Sequence, residues 1–109
     1  MSYDFPLSGN TGSLHVVLGV FKPQNITLQQ VAFDATLLTP SNSSLATGCG
    51  TQSLGTFVAN VCTVSLTFGP SLPPPPGGSI HTLKIVENTG TSWSFQVKAG
   101  ALNQQRVAG

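Results

Sequence analysis

The chain has 109 residues and a formal charge of +1, and only 6% of its residues are charged, against roughly 25% in an ordinary soluble domain. That length makes one domain with a core large enough to fold and small enough to gain from a covalent staple. Lys22, Lys84, Lys98 and Arg106 stand singly in the sequence, so no basic stripe exists to neutralise phosphates, and nucleic acid is not an expected partner. No apolar run approaches the roughly 18 to 20 residues that span a bilayer, so no membrane span is expected.

Residues 1–12 carry no sustained period and read as an N-terminal segment or edge strand. Residues 13–21, SLHVVLGVF, place Leu14, Val16, Leu18 and Val20 on one face of a strand. Lys22-Pro23-Gln24-Asn25 is a turn, because Pro fixes φ and Asn tolerates the left-handed region. In residues 26–38, Ile26 and Leu28 hold one phase while Val31, Phe33, Ala35 and Leu37 hold the other. The phase change predicts a β-bulge near Gln29-Gln30, or two strands joined by a bend there. Residues 39–48 read as loop, and residues 51–60 as an irregular stretch anchored by Leu54 and Phe57. Residues 60–68 are a strand with Cys62, Val64, Leu66 and Phe68 in alternation. The prolines at 73–76, followed by Gly77-Gly78, form a polyproline II loop, since Pro cannot donate to a ladder. Residues 80–86 and 92–99 are two strands of a hairpin about a turn at 87–90, with Leu83 and Ile85 on one arm and Trp93, Phe95 and Val97 on the other. Residues 102–109 are unpatterned and read as a tail or linker. Leu18, Val64, Leu66, Phe68, Leu83, Ile85 and Phe95 are the expected shared core.

Six or seven strands with Pro, Gly and Asn punctuation, and no segment of period 3.6, give an all-β fold. The expectation is an immunoglobulin-like β-sandwich of about seven antiparallel strands over residues 13–101. Cys49 and Cys62 are too close in sequence to be the inter-sheet pair of antibody domains. A metal role for them is poor, since His15 and His81 are distant and no Cys-x-x-Cys pair exists, and the redox reading fails for the same spacing. They are expected to form a disulfide that clips a loop onto a core strand, which implies an oxidising compartment and an extracellular or surface location.

The order NITLQQVAF, a Cys, a spacer to CTVSLTFGP, a Pro/Gly loop to HTLKIVENTG and a last strand ending in KAGA resembles the Ig-like modules called ASH or MSP-like (Hydin-type). Cys62, Thr63, Val64, Leu66, Phe68 and Pro70 carry the strand motif. The insert at 72–78 and the SLGTFVAN spacer depart from it. The resemblance implies repeated, non-enzymatic modules of bacterial surface proteins, or protein-docking domains of ciliary and cytoskeletal ones; the disulfide argues for the former.

Chemistry-bearing residues are sparse. There is no Gly-x-Ser-x-Gly elbow and no evident acid-base partner for a serine. Asp4, Asp34 and Glu87 are isolated, too few for paired-acid work or a Ca²⁺ site. No cofactor or catalytic residue is therefore expected. Lys84 or Lys98 beside Asn88 and Glu87 could form an isopeptide cross-link, although such strand lysines are ordinarily solvated. Asn25-Ile26-Thr27 and Asn42-Ser43-Ser44 match the N-glycosylation sequon. Trp93 is the candidate ligand-facing aromatic, with Tyr3, Phe5 and Phe21 on edges where a sugar platform could form. The leading expectation is a non-catalytic structural module acting in adhesion or in assembly with neighbouring copies or modules, through strand edges and the terminal segments 1–10 and 101–109. The alternative is a carbohydrate-binding module of an extracellular enzyme.

Overall fold

The computed structural model describes residues 1–69 and 71–105. Pro70 of the motif above and residues 106–109 of the expected tail lie outside the described residues. The elements are β1 Ser2–Asp4, β2 Leu7–Ser8, β3 Thr11–Lys22, β4 Leu28–Phe33, β5 Thr36–Leu37, β6 Ser43–Leu54, β7 Phe57–Phe68, β8 Ile80–Glu87, β9 Ser92–Lys98 and β10 Gln104–Gln105. They form two antiparallel sheets, β10-β1-β3-β7-β6 with β2 paired to β3, and β5-β4-β8-β9. The order β1-β3-β7-β6 opposite β4-β8-β9 is the ABED and CFG arrangement of an immunoglobulin-type sandwich. The expected count of about seven falls short because β1, β2, β5 and β10 are two or three residues long, too short for a period to register.

Alternation decides the core. Leu14, Val16, Leu18 and Val20 of β3 and Cys62, Val64 and Leu66 of β7 face Val31 and Phe33 of β4, Leu83 and Ile85 of β8, and Phe95 and Val97 of β9, all buried. Phe68, expected among them, is only half-buried. It closes one end of the core by stacking on Phe5 with ring centroids 5.6 Å apart and meeting Phe33 edge-on at 5.2 Å. Leu66 is 1% exposed, and Leu66→Ala is expected to cost about 2–5 kcal/mol in urea unfolding.

Residues 39–48 and 51–60 need correction. Most of them belong to the long hairpin of β6 and β7, paired from Ser43↔Phe68 to Leu54↔Phe57. A two-residue turn joins the arms, with Gly55 at its first position and φ 65°, the left-handed value that favours glycine there. The Ser, Thr and Gly of β6 hid it, because an edge strand exposed along most of its length has no need of apolar alternation. The cysteines accordingly do not clip a loop. Cys49 and Cys62 sit directly opposite each other on these two strands, Cα atoms 4.0 Å apart, and are disulfide-bonded. Cys62 is fully buried and Cys49 half-buried, so the bond fastens an edge strand poor in apolar side chains to the rim of the core. Reduction is expected to cost about 3 kcal/mol in the chain-entropy model. Urea unfolding with and without reductant checks this, with the strand signature in circular dichroism retained.

The bulge falls where the phase changes, between Leu28 and Gln30. The strand does not run on to Leu38, however. It reverses at Asp34 and Ala35, with φ 48° and 67°, so that β5 pairs back on β4 through Phe33↔Thr36. Asp tolerates the left-handed conformation, and here Thr82 fixes it on both sides: the Asp34 amide donates to the Thr82 carbonyl at 2.9 Å, and Asp34 Oδ1 accepts the Thr82 amide at 2.9 Å.

The terminal segments also differ from expectation. Of the two readings of residues 1–12, an N-terminal segment or an edge strand, the structure has strands, but β1 is not at the edge: it lies between β3 and β10 and pairs with both, and Tyr3 and Phe5 are buried. The Tyr3 hydroxyl accepts the Lys98 amide of the other sheet at 2.9 Å. Phe5 exchanges backbone hydrogen bonds of 2.8 Å with Gly100 and Ala101. The described part of the expected tail supplies β10, with Ser2 paired to Gln105. Segment 1–10 and residues 101–105 are thus held by their own chain.

Candidate functional site

Polar or unpaired groups gather at several places among the described residues. The first is a buried carboxylate at the end of β8. Glu87 is fully buried; its Oε1 is 2.8 Å from Lys22 Nζ at the end of β3 and accepts the Thr89 hydroxyl, and its Oε2 accepts the Trp93 indole N–H at 3.3 Å. Lys22 also donates to the Thr91 hydroxyl at 3.1 Å. Burial pushes the Glu87 carboxyl up, but hydrogen bonds from Lys22, Thr89 and Trp93, together with the Lys22 charge, outweigh it and hold the carboxyl below its ordinary value. Glu87 is therefore partnered by Lys22, not by the Lys84 or Lys98 of the cross-link expectation. Trp93 is half-buried against the core with its N–H committed to Glu87. Tyr3 and Phe5, proposed as further platform rings, are inside the core.

The second is a relay invisible in the sequence. His81 Nδ1 hydrogen-bonds Asp34 Oδ2, and its Nε2 lies 2.7 Å from Ser79 Oγ. Ser79, immediately before β8, and His81, its second residue, are two apart, a spacing that puts them on one face of extended chain. Asp34 arrives from a turn 47 residues away and gives no local signal. The Ser79 hydroxyl is also 2.6 Å from the Pro76 carbonyl, and His81 stacks on Phe33 at 5.0 Å. The Pro76 carbonyl competes for the serine proton, the carboxylate is engaged by Thr82, and none of Ser79, His81 and Asp34 lines the larger surface grooves among the described residues. What the arrangement does physically is tie the proline loop to the β4–β5 turn. Desolvation raises the Asp34 carboxyl, but the His81 and Thr82 hydrogen bonds and the His81 charge outweigh it and lower it overall. On the outer face of the first sheet, His15 Nδ1 bonds Ser65 Oγ at 2.7 Å.

Both lowered carboxyls make stability depend on acid in one direction. Between the folded and unfolded values the unfolded chain binds more protons, so the contribution is complete above the ordinary carboxylate range and lost as pH falls through the lower folded values. The urea midpoint is expected to be level from neutral pH to about 5 and to fall below about 4, with a shallower fall in Glu87→Gln.

The third is the free edge of β6. In an antiparallel pair, facing residues alternate between hydrogen-bonded and non-hydrogen-bonded, and the latter point their N–H and C=O groups away from the partner strand. The close Cα approach at Cys49↔Cys62 identifies that pair as non-hydrogen-bonded, so Leu45, Thr47, Cys49, Thr51 and Ser53 present their backbone groups outward. Among the described residues, no backbone bond outside the sheets reaches them. The Ser43 N–H points the same way but is taken by the Thr39 carbonyl at 3.0 Å. No charged residue occurs between Asp34 and Lys84, and β6 has neither Pro nor a register shift, so the usual guards of an edge are missing. The other edges differ: β5 and β10 have two residues each, while β9 carries Lys98 and gives that residue's amide to Tyr3. Beside the turn of the β6–β7 hairpin, Phe21 (69% exposed), Phe57 (54%) and Val61 (52%) share the outer face.

The two sequons are not equivalent. Asn25 and Thr27 are exposed, whereas Asn42 accepts the Thr39 amide at 2.9 Å and donates to the Leu37 carbonyl at 3.0 Å. Among the described residues, no group of three or more His, Cys, Asp or Glu side chains gathers where a metal ion could sit, and no helix is long and apolar enough to cross a membrane. No protein-family model matches the chain, and neither the curated proteins nor the solved structures offer a match.

Proposed function

We propose that the chain is a non-catalytic structural module of a secreted or cell-surface protein that joins neighbouring copies or modules by strand-edge pairing. The observation that carries this reading is β6, a 12-residue edge strand with free backbone groups and no charge, proline or bulge to repel another strand. The cross-strand disulfide supports an oxidising compartment, and the resemblance to ASH or MSP-like modules points to the same kind of role. The near absence of charge supports close packing, because weak like-charge repulsion lets copies approach. The carbohydrate-binding alternative gains nothing from Trp93, whose ring is half-buried and whose N–H is committed. Light scattering of the oxidised chain over a wide concentration range tests the proposal. A mass that rises with concentration is the expected result, and a mass that stays monomeric throughout, together with no binding to neighbouring modules, would count against it.

A further inference from the structure

Resting on the assembly reading above, the geometry points to one occupant for the β6 edge: β6 of a second copy, antiparallel and centred on Cys49. The residues whose backbone groups face outward and are unpaired are Leu45, Thr47, Cys49, Thr51 and Ser53. They are symmetric about Cys49. Placed against itself across a two-fold axis, the strand sets Leu45 opposite Ser53 of the second copy, Thr47 opposite Thr51, and Cys49 opposite Cys49, and each such pair exchanges two hydrogen bonds. Every free N–H and C=O of these residues is then used. The pairing ends at Ser44 opposite Leu54, and the next outward residue, Ser43, already has its N–H bonded to Thr39. A register shifted along the strand would leave some of these groups unmatched.

Side chains agree with this register. Thr47 and Thr51 are exposed and would meet in two cross-strand threonine pairs, a favourable combination. Gly48 falls opposite Gly50 of the second copy, and the space above both glycines is open, so the backbones approach without a side chain between them. The edge offers no charge to attract a charged partner, whereas an identical uncharged edge meets it without repulsion. Residues 44–54 span roughly 35 Å. Against a sheet roughly 10 Å thick that is on the order of 400 Å² per copy, about half of a standard stable interface. The pairing is therefore expected to be weak and concentration-dependent.

The test uses the full oxidised chain. Sedimentation equilibrium from roughly 10 µM to 1 mM, a range chosen for an interface below standard size, is expected to show the mass rising towards twice that of the monomer. Hydrogen exchange at Leu45, Thr47, Cys49, Thr51 and Ser53 should slow over the same range, while the amides of Ala46, Gly48, Gly50 and Gln52, already bonded to β7, stay constant. Thr47→Lys with Thr51→Lys places like charges opposite each other and should return the chain to monomer with its thermal unfolding little changed. Mixing that variant with Thr47→Glu/Thr51→Glu should restore a dimer, which a merely misfolded variant would not do. If the wild-type chain associates but the double-lysine variant associates equally, or the five amides gain no protection, this edge pairing is overturned while assembly through another surface survives. A chain that stays monomeric throughout overturns the self-pairing, and the assembly reading falls with it only if neighbouring modules do not bind either.

Discussion

Phe5→Ala is expected to lower the unfolding free energy by about 3–5 kcal/mol, although in the sequence Phe5 lies in a stretch that reads only as an N-terminal segment or edge strand. Phe5 is 0% exposed. Its ring stacks on Phe68 and meets Phe33 edge-on with centroids 6.0 Å apart, so truncation opens a cavity where the two sheets close. The surrounding backbone cannot collapse into that space, because residue 5 is held at both its amide and its carbonyl by Ala101 and Gly100. Urea unfolding measures the loss. Deleting residues 1–10 should be worse still, giving a chain without a cooperative transition, where an appendage would leave the sandwich intact.

Lys22→Ala is expected to cost a comparable amount, about 3–5 kcal/mol at neutral pH, because it leaves a buried carboxylate without its counter-charge. Thr89 and Trp93 still donate to Glu87, but neither supplies a positive charge. The deficit should shrink as pH is lowered, since in the variant the Glu87 carboxyl escapes its penalty by taking a proton. Lys22→Met combined with Glu87→Gln should recover much of the loss, because no uncompensated charge then remains buried. Parallel denaturation curves at two pH values separate this from simple loss of the lysine's packing, which would be the same at both.

What could be read in the sequence follows from where apolar side chains are needed. β3, β7, β8 and β9 each bury one face in a shared core, so Leu14 to Val20, Cys62 to Leu66, Leu83 with Ile85, and Phe95 with Val97 declare themselves by period two. β6 hides because its stability comes from the ladder to β7 and the disulfide rather than from apolar contact. β1 hides because three residues cannot show a period, although Tyr3 and Phe5 were the visible clue that apolar weight lay there. The cysteines indicated a disulfide but not their opposition across a ladder, since that depends on the turn at Gly55. The relay of Ser79, His81 and Asp34 was beyond reach, because it depends on two strands brought together by the sheet. The free edge of β6 was legible only as an absence of charge; which strand forms that edge required the topology.

The pairing of Ser2 with Gln105 sets how the domain responds to a pull. Ser2 and Gln105 lie at the same pole, on adjacent antiparallel strands. Tension between the two ends would then peel β1 from β10 one residue pair at a time, instead of shearing many hydrogen bonds together. The disulfide lies on the opposite side of the sheet from that seam, so it sits outside the first path of rupture. Such a domain adds little reach when strung in series, and its mechanical weak point is the seam next to its own attachment.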